Sequence, residues 1–316
     1  MPVCSHAWIL AGATATGKTD VAQILAEQTA CAILSADAML VYRDMNIGTA
    51  KPTPAMRGNT PYYGLDLVTP AEPFSTGLWL VEAARALHNT TATTNSSGLI
   101  ITGGTGLYLK ALTAGLDSNV AQPEAREIWQ KLFEQEGVPA LHAALAQRDP
   151  QALQTLSDPA NPRRLIRALE HLDTHGSLPQ QWRLPAVASA PAVILRLPRA
   201  TLHTRIQQRV EQMFARGLIE ETRALRQTYP LWSATAGKAI GYAEVCDLLD
   251  GKLSQPEALE RIVIRTRQLA KRQETWLRHQ LHAVWLDITN HESPPQIAQR
   301  VLALWRNYGP TTIVSP

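Results

Sequence analysis

The amino-acid sequence predicts an α/β fold, a parallel sheet with helices on both faces and an inserted all-helical subdomain. Three observations carry this. Short apolar runs alternate with segments of helical spacing, a glycine-rich loop joins the first run to the first helix, and residues 118–190 keep helical periodicity with no strand-like run. With 316 residues, 45% hydrophobic and 18% charged, the chain can bury a large core, which excludes a disordered or low-complexity protein.

Trp8-Ile9-Leu10-Ala11 is apolar throughout, as a strand covered on both faces must be, and it leads into the glycine-rich loop. Residues 20–28 follow as a helix with Val21, Ile24 and Leu25 on one side. Cys31-Ala32-Ile33-Leu34 predicts a second strand ending at Ser35-Ala36-Asp37, and 76–88 a helix. Leu99-Ile100-Ile101-Thr102 predicts a third strand, ending at Gly103-Gly104-Thr105-Gly106. The insert carries helical spacing at 124–135, 140–147 and 162–172. Strand character returns over 192–197, bounded by Pro191 and Pro198; long helices are predicted over 201–228 and 256–280, and 283–288 adds a last strand. The predicted domains are a core of 1–117 with 191–316 and an insert of 118–190. In such a sheet the chemistry lies at the carboxyl ends of the strands.

Composition narrows the function classes. No apolar run approaches the roughly 18 residues of a membrane span. Met1 to His6 lack the basic start of a signal peptide, so a soluble, cytoplasmic protein is expected. Cys4, Cys31 and Cys246 are an odd set without CxxC or Cys/His spacing, which supports neither a disulfide framework nor a zinc site. The net charge of +3 divides unevenly. Residues 1–120 hold 6 basic and 8 acidic side chains, against 24 and 19 in 121–316. The C-terminal excess is mostly Arg, which suits phosphate contacts, although a solvated helix surface has the same composition.

Gly12-Ala13-Thr14-Ala15-Thr16-Gly17-Lys18-Thr19 satisfies GxxxxGK[ST] between a predicted strand and a predicted helix. The loop's backbone N–H groups and the helix start bind an anion, Lys18 supplies a point charge and the Thr19 hydroxyl can ligate Mg²⁺. Most such loops serve nucleotide hydrolysis, which needs a carboxylate at the end of a neighbouring strand. The 99–102 strand ends in Gly-Gly-Thr-Gly instead. The carboxylate stands on the other strand, at Asp37, where it can take a proton from a nucleophile facing a bound polyphosphate; a lone Asp there also fits a turn or a helix cap. Farther on, Arg205 and Arg209 lie one helical turn apart, and an Arg there can clamp a leaving diphosphate. Along 261–278, Arg261, Arg265, Arg267, Lys271, Arg272 and Arg278 share one face, interrupted by Ile264, and Ile262, Val263, Leu269, Ala270, Trp276 and Leu277 share the other. Such a cationic stripe can track an RNA backbone or face solvent.

In combination these features resemble the bacterial tRNA dimethylallyltransferase family. The likeness runs through GATATGKT (12–19), SADAMLVYRDMNIGTAKP (35–52), TGGTGLYLKAL (102–112), NPRRLIRALE (161–170), AIGYAE (239–244) and TRQLAKRQETWLR (266–278). The resemblance implies a P-loop NTPase-like sheet core with an inserted helical domain. The implied reaction moves a dimethylallyl group from dimethylallyl diphosphate to the exocyclic N6 amine of the adenosine 3′ of the anticodon in tRNA, with Mg²⁺ as cofactor and no obligate protein partner, the family being usually monomeric. It implies catalytic roles for Asp37 as general base, Thr19, and Arg205 at the departing diphosphate, which Gly12, Thr14, Ala15, Thr16, Gly17, Lys18 and Thr19 would hold. Implied tRNA contacts are Asp37, Ala38, Met39 and Leu40; Thr105 and Arg126; and Asn161, Pro162, Arg163, Arg164 and Leu165. Gly241 and Tyr242 join them, as do Lys271, Arg272, Gln273, Trp276 and Arg278. The chain departs from the family pattern at Ala13 (usually Pro), Ala38 (usually Ser), Asp158 to Asn161 and the pair Tyr62-Tyr63. Competing readings are a P-loop small-molecule kinase, an isopentenyltransferase acting on free adenine nucleotides, and a non-catalytic RNA-binding protein.

Overall fold

The structure is a computed structural model and describes residues 5–92, 98–115, 123–156, 158–178 and 190–314. The chain divides into two compact units, Met1–Leu116 with Ala186–Pro316, and Asp117–Pro185.

The first unit is built on seven strands: β1 (Ser5–Gly12), β2 (Ala32–Ala36), β3 (Tyr62–Tyr63), β4 (Leu99–Gly103), β5 (Ala192–Arg196), β6 (Ala283–Asp287) and β7 (Thr311–Ile313). Their order is β3-β2-β4-β1-β5-β6, all parallel, and β7 adds antiparallel to the start of β1. The apolar runs form central strands because both faces are covered. Along β1, Leu10 packs into a core with Val21, Leu25 and Val301, whereas Ile9 and Ala11 pack into a second core with Leu87, Ile101 and Leu109 on the opposite side. The helices are α1 (Lys18–Thr29), α2 (Pro54–Arg57), α3 (Thr76–Ala92) and α4 (Gly106–Ala114), then, after the second unit, α8 (Arg199–Ala215), α9 (Leu218–Thr228), α10 (Tyr242–Leu249), α11 (Gln255–Gln280) and α12 (Pro294–Tyr308). None of the described helices is long and apolar enough to cross a membrane.

The second unit comprises α5 (Pro123–Arg148), α6 (Ala152–Thr155) and α7 (Pro162–His175) around Trp129, Leu141, Leu145, Leu165 and Leu169. The two helical stretches expected at 124–135 and 140–147 are the halves of α5. They are broken at Gly137 (φ 75°), two residues before Pro139. α7 begins where Asn161 accepts the Arg163 amide at 3.1 Å and Pro162 opens the first turn.

The single helix expected over 201–228 is two. Gly217 adopts φ 94°, which ends α8 and restarts the chain as α9. The helix over 256–280 begins one residue earlier, at Gln255, under a capping box in which Ser254 and Glu257 exchange hydrogen bonds.

Candidate functional site

β1, β2 and β4 end at one edge of the sheet, and a cavity of about 340 Å³ opens there. The loop after β1 turns through Ala15 (φ 64°) and Gly17 (φ 86°) into α1, whose first turn has no side-chain cap. Its N–H groups are left without a side-chain cap, the arrangement that suits an anion. Thr16 is buried and its Oγ1 donates to the Ala13 carbonyl at 2.9 Å, so only its backbone amide can meet a ligand. Gly12 is closely packed, since a Cβ there would stand 3.0 Å from the Leu195 carbonyl and from Thr16 Oγ1. Thr14, Lys18 and Thr19 line the cavity.

Lys18 donates to the Ala13 carbonyl at 3.3 Å. Burial lowers its ammonium pKa to about 8; Asp37 works against this shift and Arg209 adds to it. Asp37 follows β2 and lines the same cavity. Its Oδ1 accepts the Met39 amide at 2.9 Å, an Asx turn that orients the carboxylate. From the end of β4, Thr105 accepts the Ala38 amide at 3.0 Å while its own amide donates to Ala36, so the two strand ends are laced together beside the carboxylate. The lining residues include five cations, Lys18, Arg209, Lys238, Arg265 and Arg272, against one carboxylate, Asp37. The Thr102 hydroxyl, also in the lining, is buried with no hydrogen-bond partner among the described residues. Apolar side chains of the lining include Met39, Leu40, Ile206, Met213, Ile240 and Leu269, interspersed with Ser35, Thr49, Thr105 and Thr266. A cavity lined by both cations and apolar side chains can take a molecule with an anionic head and a hydrocarbon tail.

Several expected site residues stand elsewhere. Arg205 is not in the cavity lining. It lies beside Gly17 and its Nε donates to Asn290 at 3.1 Å. One turn along α8, Arg209 is the guanidinium inside, with long contacts to Thr14 Oγ1 (3.4 Å) and the Thr49 carbonyl (3.5 Å). Burial lowers the Arg209 pKa, and Asp37 and Asp20 hold it up. The spacing of the two arginines was visible in the sequence, and both reach the loop, but which of them lines the cavity depends on how Ile206, Val210 and Met213 seat α8 against the core.

Tyr242 is fully buried and cannot present its ring to RNA. Its hydroxyl donates to Glu221 at 2.6 Å and accepts the Gly48 amide at 3.1 Å. Glu221 also accepts the Asn46 and Ile47 amides, so this pair holds the Gly48–Ala50 wall of the cavity, a function that no sequence motif announced. Gly241 is internal too, at φ 99°, with its amide donated to Glu244 at 2.8 Å. Leu165 is buried in the core of the helical unit. Asn161 and Pro162 form the start of α7, Arg163 is exposed, and Arg164 is half-buried. Arg126 lies on the surface of the helical unit, 3.8 Å from Glu170. Lys271, Arg272 and Arg278 are exposed along α11, with Arg278 5.6 Å from the Trp285 ring centre. Arg265, expected in the cationic stripe, turns inward to pair with Glu244. Gln273 and Trp276 also turn inward, the first to the Thr14 amide at 2.9 Å and the second against Gly106.

Three His, Cys, Asp or Glu side chains grouped to hold a metal do not occur among the described residues. Side-chain oxygens at the loop end of the lining include the Thr14 and Thr19 hydroxyls and one carboxylate, Asp37. So small a set fits a Mg²⁺ ion held mainly by phosphate oxygens and water.

Residues 40–280 match the family described as IPP transferase. The chain is 38% identical over 306 residues to a tRNA dimethylallyltransferase of Kineococcus radiotolerans, covering 93% of this chain and 94% of that protein. It is 39% identical over 289 residues to one of Stenotrophomonas maltophilia, covering 87% and 90%. Among solved structures it is similar to a tRNA isopentenylpyrophosphate transferase of Bacillus halodurans, with a TM-score of 0.68, 31% identity and coverage of 96% and 97%.

Proposed function

This chain belongs to the IPP transferase family, and we propose that its cavity grips the diphosphate of dimethylallyl diphosphate while Asp37 deprotonates the acceptor. The reaction is transfer of a dimethylallyl group to tRNA. The finer reading places the acceptor at the exocyclic N6 amine of the adenosine 3′ of the anticodon. What supports the diphosphate site is the charge of the lining, in which Lys18 and Arg209 stand at the loop and Asp37 is the one carboxylate, alongside apolar side chains.

An aromatic exocyclic amine is a poor nucleophile because its lone pair is delocalised into the ring. Asp37 accepts its proton as the N–C bond forms. The allylic C–O bond breaks and its electron pair leaves on the diphosphate. That developing charge is met by the loop amides, Lys18 and Arg209. A Mg²⁺ ion at Thr19, when bound, would supply further charge neutralisation at the diphosphate. Because the loop holds a leaving group and positions no water, the strand end at Gly103-Gly104 needs no carboxylate, and a dry apolar wall protects the cation-like carbon. The adenosine must leave its stack to reach Asp37. The exposed Lys271, Arg272 and Arg278, together with Arg126 and Arg163 on the helical unit, are proposed to meet tRNA phosphates.

The test is transfer of labelled dimethylallyl from its diphosphate, with Mg²⁺, to tRNA, AMP or nothing, in parent and Asp37→Ala proteins. Label is expected in tRNA only. The variant should lose at least ~100-fold in rate while tRNA affinity stays within about twofold. Equal rates would remove Asp37 from the mechanism, and label in AMP would replace the substrate.

A further inference from the structure

The Gly103-Gly104-Thr105-Gly106 turn is shaped by α11. A Cβ on Gly104 would stand 2.4 Å from Nε2 of Gln273, and one on Gly106 would stand 1.9 Å from the Trp276 ring. A side chain at Gly106 would run into the ring, and one at Gly104 would displace the Gln273 amide from its seat. The turn is therefore a bare strip of backbone into which two side chains of the helix fit, one helical turn apart. Gln273 passes over it to reach the phosphate loop. Its Oε1 accepts the Thr14 amide at 2.9 Å, joining residues 259 apart in sequence, and the side chain lines the cavity.

That bond occupies one amide of the loop, near its entry from β1. The loop binds an anion only if its later amides converge, and a peptide plane pinned at Thr14 limits how the following planes can rotate. Lys271 and Arg272, just before Gln273 on α11, are exposed, so one short stretch of helix carries two different tasks.

We propose that Gln273 is a positioning residue for the diphosphate loop, acting through the Thr14 amide, and that it is not a contact to tRNA. The proposal rests on the reading of the cavity as the diphosphate site. It also accounts for the glycines at the end of β4, whose missing side chains admit Gln273 and Trp276 to the loop.

The experiment measures binding of inorganic diphosphate and of tRNA separately, by calorimetry and filter retention, in parent, Gln273→Met and Lys271→Ala proteins. Methionine keeps the length of glutamine and removes the acceptor. Gln273→Met should weaken diphosphate binding about tenfold, the scale of one lost hydrogen bond, with the Kd for tRNA within about twofold of parent. Lys271→Ala should do the reverse. Gly104→Ala, which pushes Gln273 from its seat, should weaken diphosphate binding similarly, and the double variant should show no further loss. A thermal melt of each protein verifies that it is folded. Weaker tRNA binding with unchanged diphosphate affinity in Gln273→Met overturns the proposal, as do unchanged affinities for both or an equal fall in both. A parent protein that binds no diphosphate overturns the cavity reading instead.

Discussion

Two cations beside the phosphate loop, Lys18 and Arg209, have surroundings opposite to those of the arginines in the helical unit. In the helical unit Arg148 stacks 4.4 Å from the Trp129 ring centre and donates to Asp173 at 3.1 Å, while Arg126 and Arg167 flank the buried Glu170. In the sheet unit Lys18 and Arg209 make no salt bridge to any described residue, and burial pulls both pKa values down. The Arg148 arrangement is complete without a ligand, whereas Arg126 stays exposed on the surface. The pair beside the loop holds positive charge in a cavity against a desolvation penalty, and a polyanion relieves it. Paired cations stabilise the fold; unpaired buried ones mark where substrate charge goes.

The largest effect expected from this difference separates two arginines on one helix. Arg209→Met should lower the transfer rate by about 100-fold or more, the scale of removing a preorganised charge from a developing anion. Arg205→Met, whose partner is Asn290 outside the cavity, should lower it by less than about tenfold. Single-turnover rates at saturating tRNA decide it, and the reverse order would break the assignment. A smaller effect is expected in the helical unit. Arg148→Met loses a half-exposed ion pair and a ring contact, together worth about 1 kcal/mol, which should lower the melting temperature by a few degrees and leave diphosphate affinity unchanged. If that variant bound diphosphate more weakly, the contrast between the two sets of cations would fail.

Much of this arrangement was legible in the sequence, and the parts that were not share a cause. The β1, β2, β4 and β5 strands announce themselves as apolar runs because both sheet faces are covered there, and the partly buried edge strand β6 still carries Val284, Trp285 and Leu286. β3 is two residues long and β7 three, too short for any run to stand out. The 201–228 segment kept helical spacing across Gly217, so only the backbone conformation revealed the break. In the site, the loop and Asp37 are local and were readable. Arg209, Glu221 and Gln273 act on the loop and wall from 160 or more residues away in sequence, the smallest separation being that between Arg209 and Thr49, and no local pattern encodes those contacts. Tyr242 and Leu165 were expected at an RNA surface because of the motif that contains them, yet burial makes both structural.

The most direct test of the central claim is the pH dependence of diphosphate affinity in parent and Lys18→Arg proteins. Lys18 in the free protein titrates at about 8, and a bound anion raises that value, so binding above pH 8 must take up a proton. Below pH 8 the ammonium is already charged and the two proteins should respond to pH in parallel. Above it, parent affinity should fall relative to Lys18→Arg, approaching tenfold per pH unit for one proton, because the guanidinium stays charged. Parallel curves through pH 10 would contradict the account, since Lys18 would then not face the diphosphate.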